Sequence, residues 1–75
     1  MKVVNRIGTQ IEKSGYRDDY IAGKLGVSKK QVWNWRKGYS FPTFEKAFLL
    51  AKILSCKVDD LGMLIEDEEQ KNLPQ

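Results

Sequence analysis

Residues 18–37 read DDYIAGKLGVSKKQVWNWRK, and their pattern predicts two short amphipathic helices joined by a tight turn. Gly26 is predicted to end the first helix, because glycine adopts the left-handed conformation of a helix C-cap at little steric cost. Ser28 is suited to cap the second helix. The apolar residues that the pair would bury together are Ile21, Ala22, Leu25, Val27, Val32 and Trp35. Because helices of about two turns are unstable alone, the flanking chain must cover this apolar side.

The N-terminal segment is predicted to form another helix, over residues 3–14, with Gly15 as its C-terminal cap. The apolar residues that fall at helical spacing in it are Val3 or Val4, Ile7 and Ile11. Gly8 lies inside this helix, where glycine costs about 1 kcal/mol relative to alanine. The helix is therefore either marginal at Gly8 or approached closely there by another backbone.

The C-terminal half is predicted to add two more helices. One is capped by Thr43 and ends near Ser55, and the other spans residues 58–64. The apolar face of the longer helix comprises Phe44, Ala47, Phe48, Leu50, Ala51 and Leu54. No strand alternation is visible, so we expect an all-α fold, a compact five-helix bundle built by one domain over residues 1–65. The acidic residues 66–75 are expected to fray.

The composition limits the classes of function. A chain of 75 residues makes one domain, and 41% hydrophobic residues suffice for a compact core. With no histidine and a single cysteine, Cys56, the chain cannot assemble a Cys–His catalytic pair or a structural zinc site. We therefore expect no enzyme, no cofactor and no small-molecule substrate. The sequence contains no apolar run of about 18 residues, so no membrane span is predicted. A lone cysteine fits the reducing cytoplasm.

The charge is distributed unevenly along the chain. Residues 1–57 carry twelve Lys and Arg against four Asp and Glu, a net +8, whereas residues 58–75 carry one Lys against six acids, a net −5. A basic body with an acidic tail favours a polyanionic partner for the body. Surplus lysines are also common on small proteins, so charge alone supports a nucleic acid weakly.

The spacing of Ala22, Gly26 and Val32 is typical of a helix-turn-helix, since the small residue and the branched residue meet where the helices cross. The longer run LGVSKKQVWNW…G…P…A…LAKILSCKVDDL resembles the lambda-repressor-like (Xre-type, Cro/CI) helix-turn-helix domain over about residues 7–65. Gly38, Pro42 and the closing VDDL fall where that family has them. The resemblance implies a DNA-binding domain that acts as a homodimer on operator half-sites, with its second motif helix in the major groove.

The resemblance also implies which side chains meet DNA. It assigns base reading to Lys29, Lys30, Trp33 and Asn34. The predicted phosphate contacts are Arg17, Ser28, Gln31, Arg36, Lys37, Tyr39 and Ser40. Two lysines at a helix N-terminus oppose the helix dipole, which favours an anionic ligand. Lysine donates to guanine O6 and N7, whereas asparagine suits adenine, although a solvated surface amide explains Asn34 equally well.

The tryptophans and Asp18 need separate interpretations. Trp33 contacts a thymine methyl or sugar, a second subunit, or a neighbouring lysine stem, and the sequence leaves these alternatives open. Trp35 shares its side of the helix with Val32 and is expected in the core. Asp18 departs from the family, which often has a glutamine that meets phosphate there. An ionised carboxylate at Asp18 would repel phosphate.

The C-terminal apolar run favours self-association. Met63, Leu64 and Ile65 exceed what the last helix of a small monomer needs, so we expect them at a twofold interface, with closure of the bundle base as the alternative. The predicted function is sequence-specific regulation of transcription on a pseudo-palindromic operator, as a repressor of the phage or mobile-element type in a bacterial cytoplasm. The alternative is a helical protein-interaction module, such as an antitoxin or a phage protein that binds a host factor.

Overall fold

The computed structural model describes residues 2–65 of the chain, and they form four α-helices, one 3₁₀ turn and two β-strands. The predicted acidic tail, residues 66–75, lies outside the described residues. The elements in chain order are β1 (Lys2–Asn5), α1 (Ile7–Ser14), α2 (Asp18–Leu25), α3 (Lys29–Lys37), α4 (Phe44–Ile53), the 3₁₀ turn (Val58–Asp60) and β2 (Gly62–Ile65). Within residues 2–65, no helix is both long enough and apolar enough to cross a membrane.

The predicted pair of helices and the turn between them are confirmed as α2 and α3. Gly26 has φ 71° and caps α2, with its N–H donating to the Ala22 carbonyl. The Ser28 hydroxyl accepts the Gln31 N–H at 3.1 Å and so caps α3. Asp18 lies in the first turn of α2, where a negative charge is favourable to the helix dipole. The residue at the N-cap itself is Arg17, whose side chain makes no capping hydrogen bond.

The core forms where the helices α1 to α4 meet. α2 packs against both α3 and α4, and α1 packs against α3. Val32 is fully buried and Trp35 is 1% exposed, so the prediction that Trp35 belongs to the core is confirmed. The other buried apolar residues are Ile7, Ile11, Ile21, Ala22, Leu25, Leu50, Ala51, Leu54 and Leu61. The side chain of Lys46 ties α4 to the end of α2, since its Nζ donates to the Leu25 carbonyl at 2.8 Å.

The prediction of an all-α, five-helix bundle is wrong, because the two ends of the described chain form a sheet. β1 and β2 pair antiparallel, with Val3 opposite Leu64 and Val4 opposite Met63. Each strand has four residues, which is too short for alternation to stand out in a sequence. The partner strands are also separated by almost the whole described chain, so no local turn signal marks their pairing.

The N-terminal helix is shorter than predicted because Asn5 ends the strand and starts the helix. The Asn5 Oδ1 accepts the Ile7 N–H at 2.8 Å, and its Nδ2 donates to the Trp35 carbonyl at 3.0 Å. The first four residues of the predicted helix therefore belong to β1 or to the connection, and α1 begins at Ile7.

The predicted fifth helix over residues 58–64 is wrong, because Gly62–Ile65 pairs with the N-terminal strand. The 3₁₀ turn ends at Asp60, and Gly62 then enters β2 close to the opposite backbone. A Cβ atom at Gly62 would lie 3.4 Å from the Val4 carbonyl oxygen, which is ordinary van der Waals contact. The Arg6 N–H donates to the Leu61 carbonyl at 3.0 Å and extends the pairing of the two ends.

Gly8 marks the close approach of α1 to α3, which confirms one of the two explanations for a glycine in this helix. A Cβ atom at Gly8 would lie 2.9 Å from the Arg36 carbonyl oxygen. The contact atom belongs to the backbone and cannot rotate away. Glycine at this position therefore permits the crossing of α1 and α3.

The longest helix, α4, buries less of its apolar face than the sequence predicts. Thr43 caps it as predicted, with Oγ1 accepting the Lys46 N–H at 3.3 Å. Its inward side consists of Leu50 and Ala51, whereas Phe44 is 80% exposed and Phe48 is 53% exposed. The two phenylalanine rings contact each other edge to face, 4.9 Å between centroids.

Candidate nucleic-acid interface

α3 separates a buried side from a charged, exposed side. Val32 and Trp35 point into the core, and at about 100° per residue the opposite side carries Lys30, Trp33 and Lys37. We call the set Lys29, Lys30, Trp33 and Asn34 the reading face. Asn34 is half-buried, and the other three side chains are exposed. The face therefore presents cations, an amide and an aromatic ring to the solvent together.

The N-terminal end of α3 is positively charged against its own dipole. Lys29 and Lys30 occupy its first turn, which contains no acidic residue. Cations at this end destabilise an isolated helix by a few tenths of a kcal/mol each, whereas an anion placed there is stabilised. The arrangement suits a polyanion that approaches this end of α3.

The C-terminal end of the reading face is organised by aromatic contacts. The Trp33 ring meets the Tyr39 ring edge to face at 5.5 Å between centroids. The Lys37 ammonium lies 5.9 Å from the centroid of the Trp33 ring. The structure thus brings Trp33, Lys37 and Tyr39 together. The position of Lys37 agrees with the interpretation that Trp33 packs against a neighbouring lysine. The exposed edge of Trp33, which is 39% exposed, leaves the other two interpretations open.

Arg36 occupies a different environment from Lys37. Its Nη2 donates to Asp18 Oδ1 at 2.6 Å, and the side chains are 31% and 10% exposed respectively. The structure thus pairs Asp18 with a cation of α3. The positive charge of Arg36 therefore offsets part of the negative charge of Asp18. The sequence does not reveal this pairing, because the two residues are 18 positions apart.

The remaining predicted phosphate contacts lie at the edges of the helix-turn-helix. Arg17 is 82% exposed in its side chain and 3.6 Å from Asp19 Oδ1. Ser28 and Gln31 are exposed at the start of α3, and Tyr39 and Ser40 follow its end, with Tyr39 72% exposed. The phosphate role of all these residues, and of Arg36 and Lys37, stays a prediction.

The predicted dimer residues lie on a strand instead of a helix. Met63, Leu64 and Ile65 belong to β2 and are 45%, 56% and 40% exposed. Within residues 2–65, β1 is the sheet partner of β2, so each strand keeps one free edge. The role of these residues in dimerisation also stays a prediction.

An exposed aromatic stripe leads into α2, and the sequence reasoning missed it. Tyr16 and Tyr20 stack with 4.8 Å between ring centroids, and the Lys24 ammonium lies 5.6 Å from the Tyr20 ring centroid. Helical spacing could have related Tyr20 to Lys24, which lie four residues apart within α2, but not to Tyr16, which precedes that helix.

The remaining candidate chemistry is limited. Cys56 is half-buried beside the core, and burial, followed by the negative charge of Asp60, raises the pKa of its thiol. The thiol therefore stays protonated at neutral pH and is a poor nucleophile. Within the part of the chain that the structure describes, no three His, Cys, Asp or Glu side chains cluster as metal ligands.

Comparisons with known proteins support the fold. No protein-family model matches the sequence, and no curated protein matches it significantly. A solved structure described as that of "a putative DNA-binding protein from Bacteroides fragilis" superposes with a TM-score of 0.78 at 19% sequence identity. The match covers 83% of this chain and 100% of the other. At this level of identity, the likeness establishes a shared fold.

Proposed function

We propose that this chain is a sequence-specific double-stranded DNA-binding regulator of transcription, a repressor of the lambda-repressor-like, Xre type encoded by a phage or mobile element. The observation that carries the proposal is the division of α3, whose buried side holds Val32 and Trp35 while its exposed side holds the reading face. A helix that uses one side to fix itself to the core and presents the other to a polyanion is the arrangement of a recognition helix. The likeness to a structure described as that of a putative DNA-binding protein supports the same function.

In the proposed complex, α3 lies in the major groove and α2 crosses the DNA backbone. Lys29 and Lys30 donate to guanine O6 and N7, and Asn34 pairs with adenine. Trp33 contacts a thymine methyl or a sugar at the edge of the reading face. The phosphate contacts predicted at Arg17 and Lys37 displace counterions and, with those at Ser28, Gln31, Tyr39 and Ser40, supply the sequence-independent part of the affinity.

We propose that two copies bind a pseudo-palindromic operator as a homodimer in a bacterial cytoplasm, without a cofactor and without catalytic activity. The exposed apolar side chains of Met63, Leu64 and Ile65 support an interface at β2. The edge of β2 that no strand within residues 2–65 pairs offers backbone hydrogen bonds to a second copy.

The alternative, a protein-interaction module of the antitoxin or host-factor-binding kind, is supported by a separate surface. Phe44 and Phe48 border an open groove of about 530 Å³, together with Ala51, Cys56 and Val58. Two phenylalanines at 80% and 53% exposure are unusual on a monomer, and exposed apolar groups of this kind mark protein contacts.

The two functions predict different affinities for DNA. A DNA-binding regulator should bind duplex DNA with an affinity that falls as the salt concentration rises, whereas a protein-interaction module should show no such affinity. We expect the protein to bind a fluorescein-labelled duplex of random sequence, with a logarithmic dissociation constant that rises linearly with the logarithm of NaCl concentration. A variant with Lys29, Lys30 and Lys37 changed to alanine should bind more weakly and show a shallower slope, whereas Phe44→Ser should bind DNA as the wild type does. If the triple variant binds DNA as tightly as the wild type, α3 is not the interface.

A further inference from the structure

The two helices of the motif are joined at both ends. At one end the chain itself connects them, through Gly26 and Ser28. At the other end, Asp18 in the first turn of α2 receives a 2.6 Å hydrogen bond from Arg36 in the last turn of α3. The turn and the ion pair therefore close the helix pair into a ring, and the angle between α2 and α3 depends on both.

Arg36 is also held from two further sides. Its backbone carbonyl and its Cγ atom lie against Gly8 of α1, where a Cβ would meet them at 2.9 and 3.2 Å. The preceding carbonyl, that of Trp35, accepts the Asn5 Nδ2 hydrogen bond at 3.0 Å. Three elements other than α3 thus fix the last turn of that helix.

The ion pair also commits the charge of Arg36. The Asp18 side chain is 10% exposed and the Arg36 side chain is 31% exposed, so the carboxylate is sheltered from solvent while part of the guanidinium is not, and solvent weakens the pair less than it weakens a fully exposed one. The neighbouring acid Asp19 instead lies near Arg17, at 3.6 Å in an exposed position. A phosphate that approached Arg36 would compete with Asp18 for the same positive charge, although the guanidinium has donors besides the Nη2 that bonds Asp18.

We propose that Asp18 and Arg36 form a clasp that fixes the orientation of α3 against α2, and that Arg36 is a positioning residue for base reading instead of a phosphate ligand. This inference rests on the proposed function, because an orientation matters only if the reading face meets bases. Since α2 crosses the DNA backbone while α3 enters the groove, a change in their angle moves every side chain of the reading face relative to the bases. The clasp also explains why an acid is tolerated where the DNA backbone passes, since Arg36 neutralises it.

The test compares the isosteric variant Asp18→Asn with Asp19→Asn, which removes the same charge one residue away without touching α3. Wild type and variants are titrated with two labelled duplexes, one recovered by wild-type selection from a random pool and one of random sequence. The ratio of the two dissociation constants is the specificity. We expect Asp18→Asn to lower this ratio at least about fivefold, as the loss of a coupled pair predicts. Asp19→Asn should leave the ratio unchanged.

Two further variants separate a clasp from a phosphate contact. The neutral pair Asp18→Asn with Arg36→Gln should keep the salt slope of the wild type on random DNA, because Arg36 makes no phosphate contact. If Arg36 is a phosphate ligand, the slope becomes shallower by about one. The reversed pair Asp18→Lys with Arg36→Glu should recover part of the specificity that Asp18→Asn loses.

The results also distinguish failure of this inference from failure of the proposed function. A wild type that binds neither duplex overturns both. A wild type that binds its selected duplex, with Asp18→Asn and Asp19→Asn equally specific, overturns the clasp alone. A shallower slope for the neutral pair overturns it as well. Thermal unfolding of the wild type, Asp18→Asn, Arg36→Gln and the neutral pair adds a test without DNA, since additive changes in stability would mean that the two residues are not coupled.

Discussion

At the scale of single residues, the two ends of α3 should contribute differently to DNA binding. Lys30 lies in the first turn, on the reading face, whereas Lys37 lies in the last turn beside Trp33. We expect Lys30→Ala to cost about 1–3 kcal/mol on the operator and to relax the preference at one base position. Lys37→Ala should weaken all sequences alike and reduce the salt slope by about one. Anisotropy titrations on single-base operator variants measure both effects, and equal losses on every variant for both proteins would contradict this division.

The thiol of Cys56 gives a prediction that does not involve DNA. Because burial and the charge of Asp60 raise the pKa of the thiol, the thiolate fraction at pH 8 is smaller in the folded protein than in the unfolded chain. We expect a disulfide reagent such as DTNB to react more slowly with the native protein than with the protein in denaturant. Reaction rates that are equal after correction for the effect of denaturant on a free thiol would contradict the environment described for Cys56.

At the scale of elements, two helical glycines should respond in opposite directions to alanine. Gly8→Ala places a methyl group 2.9 Å from the Arg36 carbonyl and should lower the free energy of unfolding by about 1–3 kcal/mol. Gly23 lies inside α2, and open space surrounds the position that a Cβ atom would take, so Gly23→Ala should raise the free energy of unfolding by about 0.5–1 kcal/mol. Urea denaturation measures both. A neutral Gly8→Ala would mean that α1 and α3 do not cross as described.

The elements also show which parts of the fold can be read from the sequence. α2, α3 and their caps were predictable because Gly26 and Ser28 act within a few residues of themselves. The strands were not, because their pairing joins Val3 to Leu64 across the described chain and each strand is too short for a visible period. The exposed positions of the reading face followed from the helical period. The Asp18–Arg36 pair did not, because it depends on how two helices are placed in space.

At the scale of the whole molecule, the strand β2 should govern self-association. Leu64 is 56% exposed on β2, and Leu49 is 42% exposed on α4. We expect Leu64→Lys to weaken a homodimer at least about tenfold, because a lysine would be forced against a second copy, whereas Leu49→Lys should leave it intact. Light scattering coupled to size-exclusion chromatography measures the mass of each variant. If Leu49→Lys is the variant that dissociates the dimer, the interface lies on α4.

The charge of the described domain matches its proposed partner. Residues 2–65 carry twelve Lys and Arg and six Asp and Glu, a net charge of +6. The cations of α3 lie in the first and last turns of that helix. The composition shows this net charge, but it predicts neither the sheet that joins the ends of the described chain nor the exposed phenylalanines of α4. Both depend on how α4 and the strands pack, because the helical period marks an apolar face without showing what covers it.

The most direct test of the account is selection of bound DNA from a random duplex pool at about 0.15 M salt. We predict one enriched sequence with twofold symmetry, whose half-sites lie about 10 base pairs apart. We also expect Lys30→Ala to select the same sequence with one position relaxed in each half-site. A pool that shows no enrichment, or an enriched sequence that is identical for the wild type and a variant lacking Lys29, Lys30 and Asn34 side chains, would contradict the claim that α3 reads DNA.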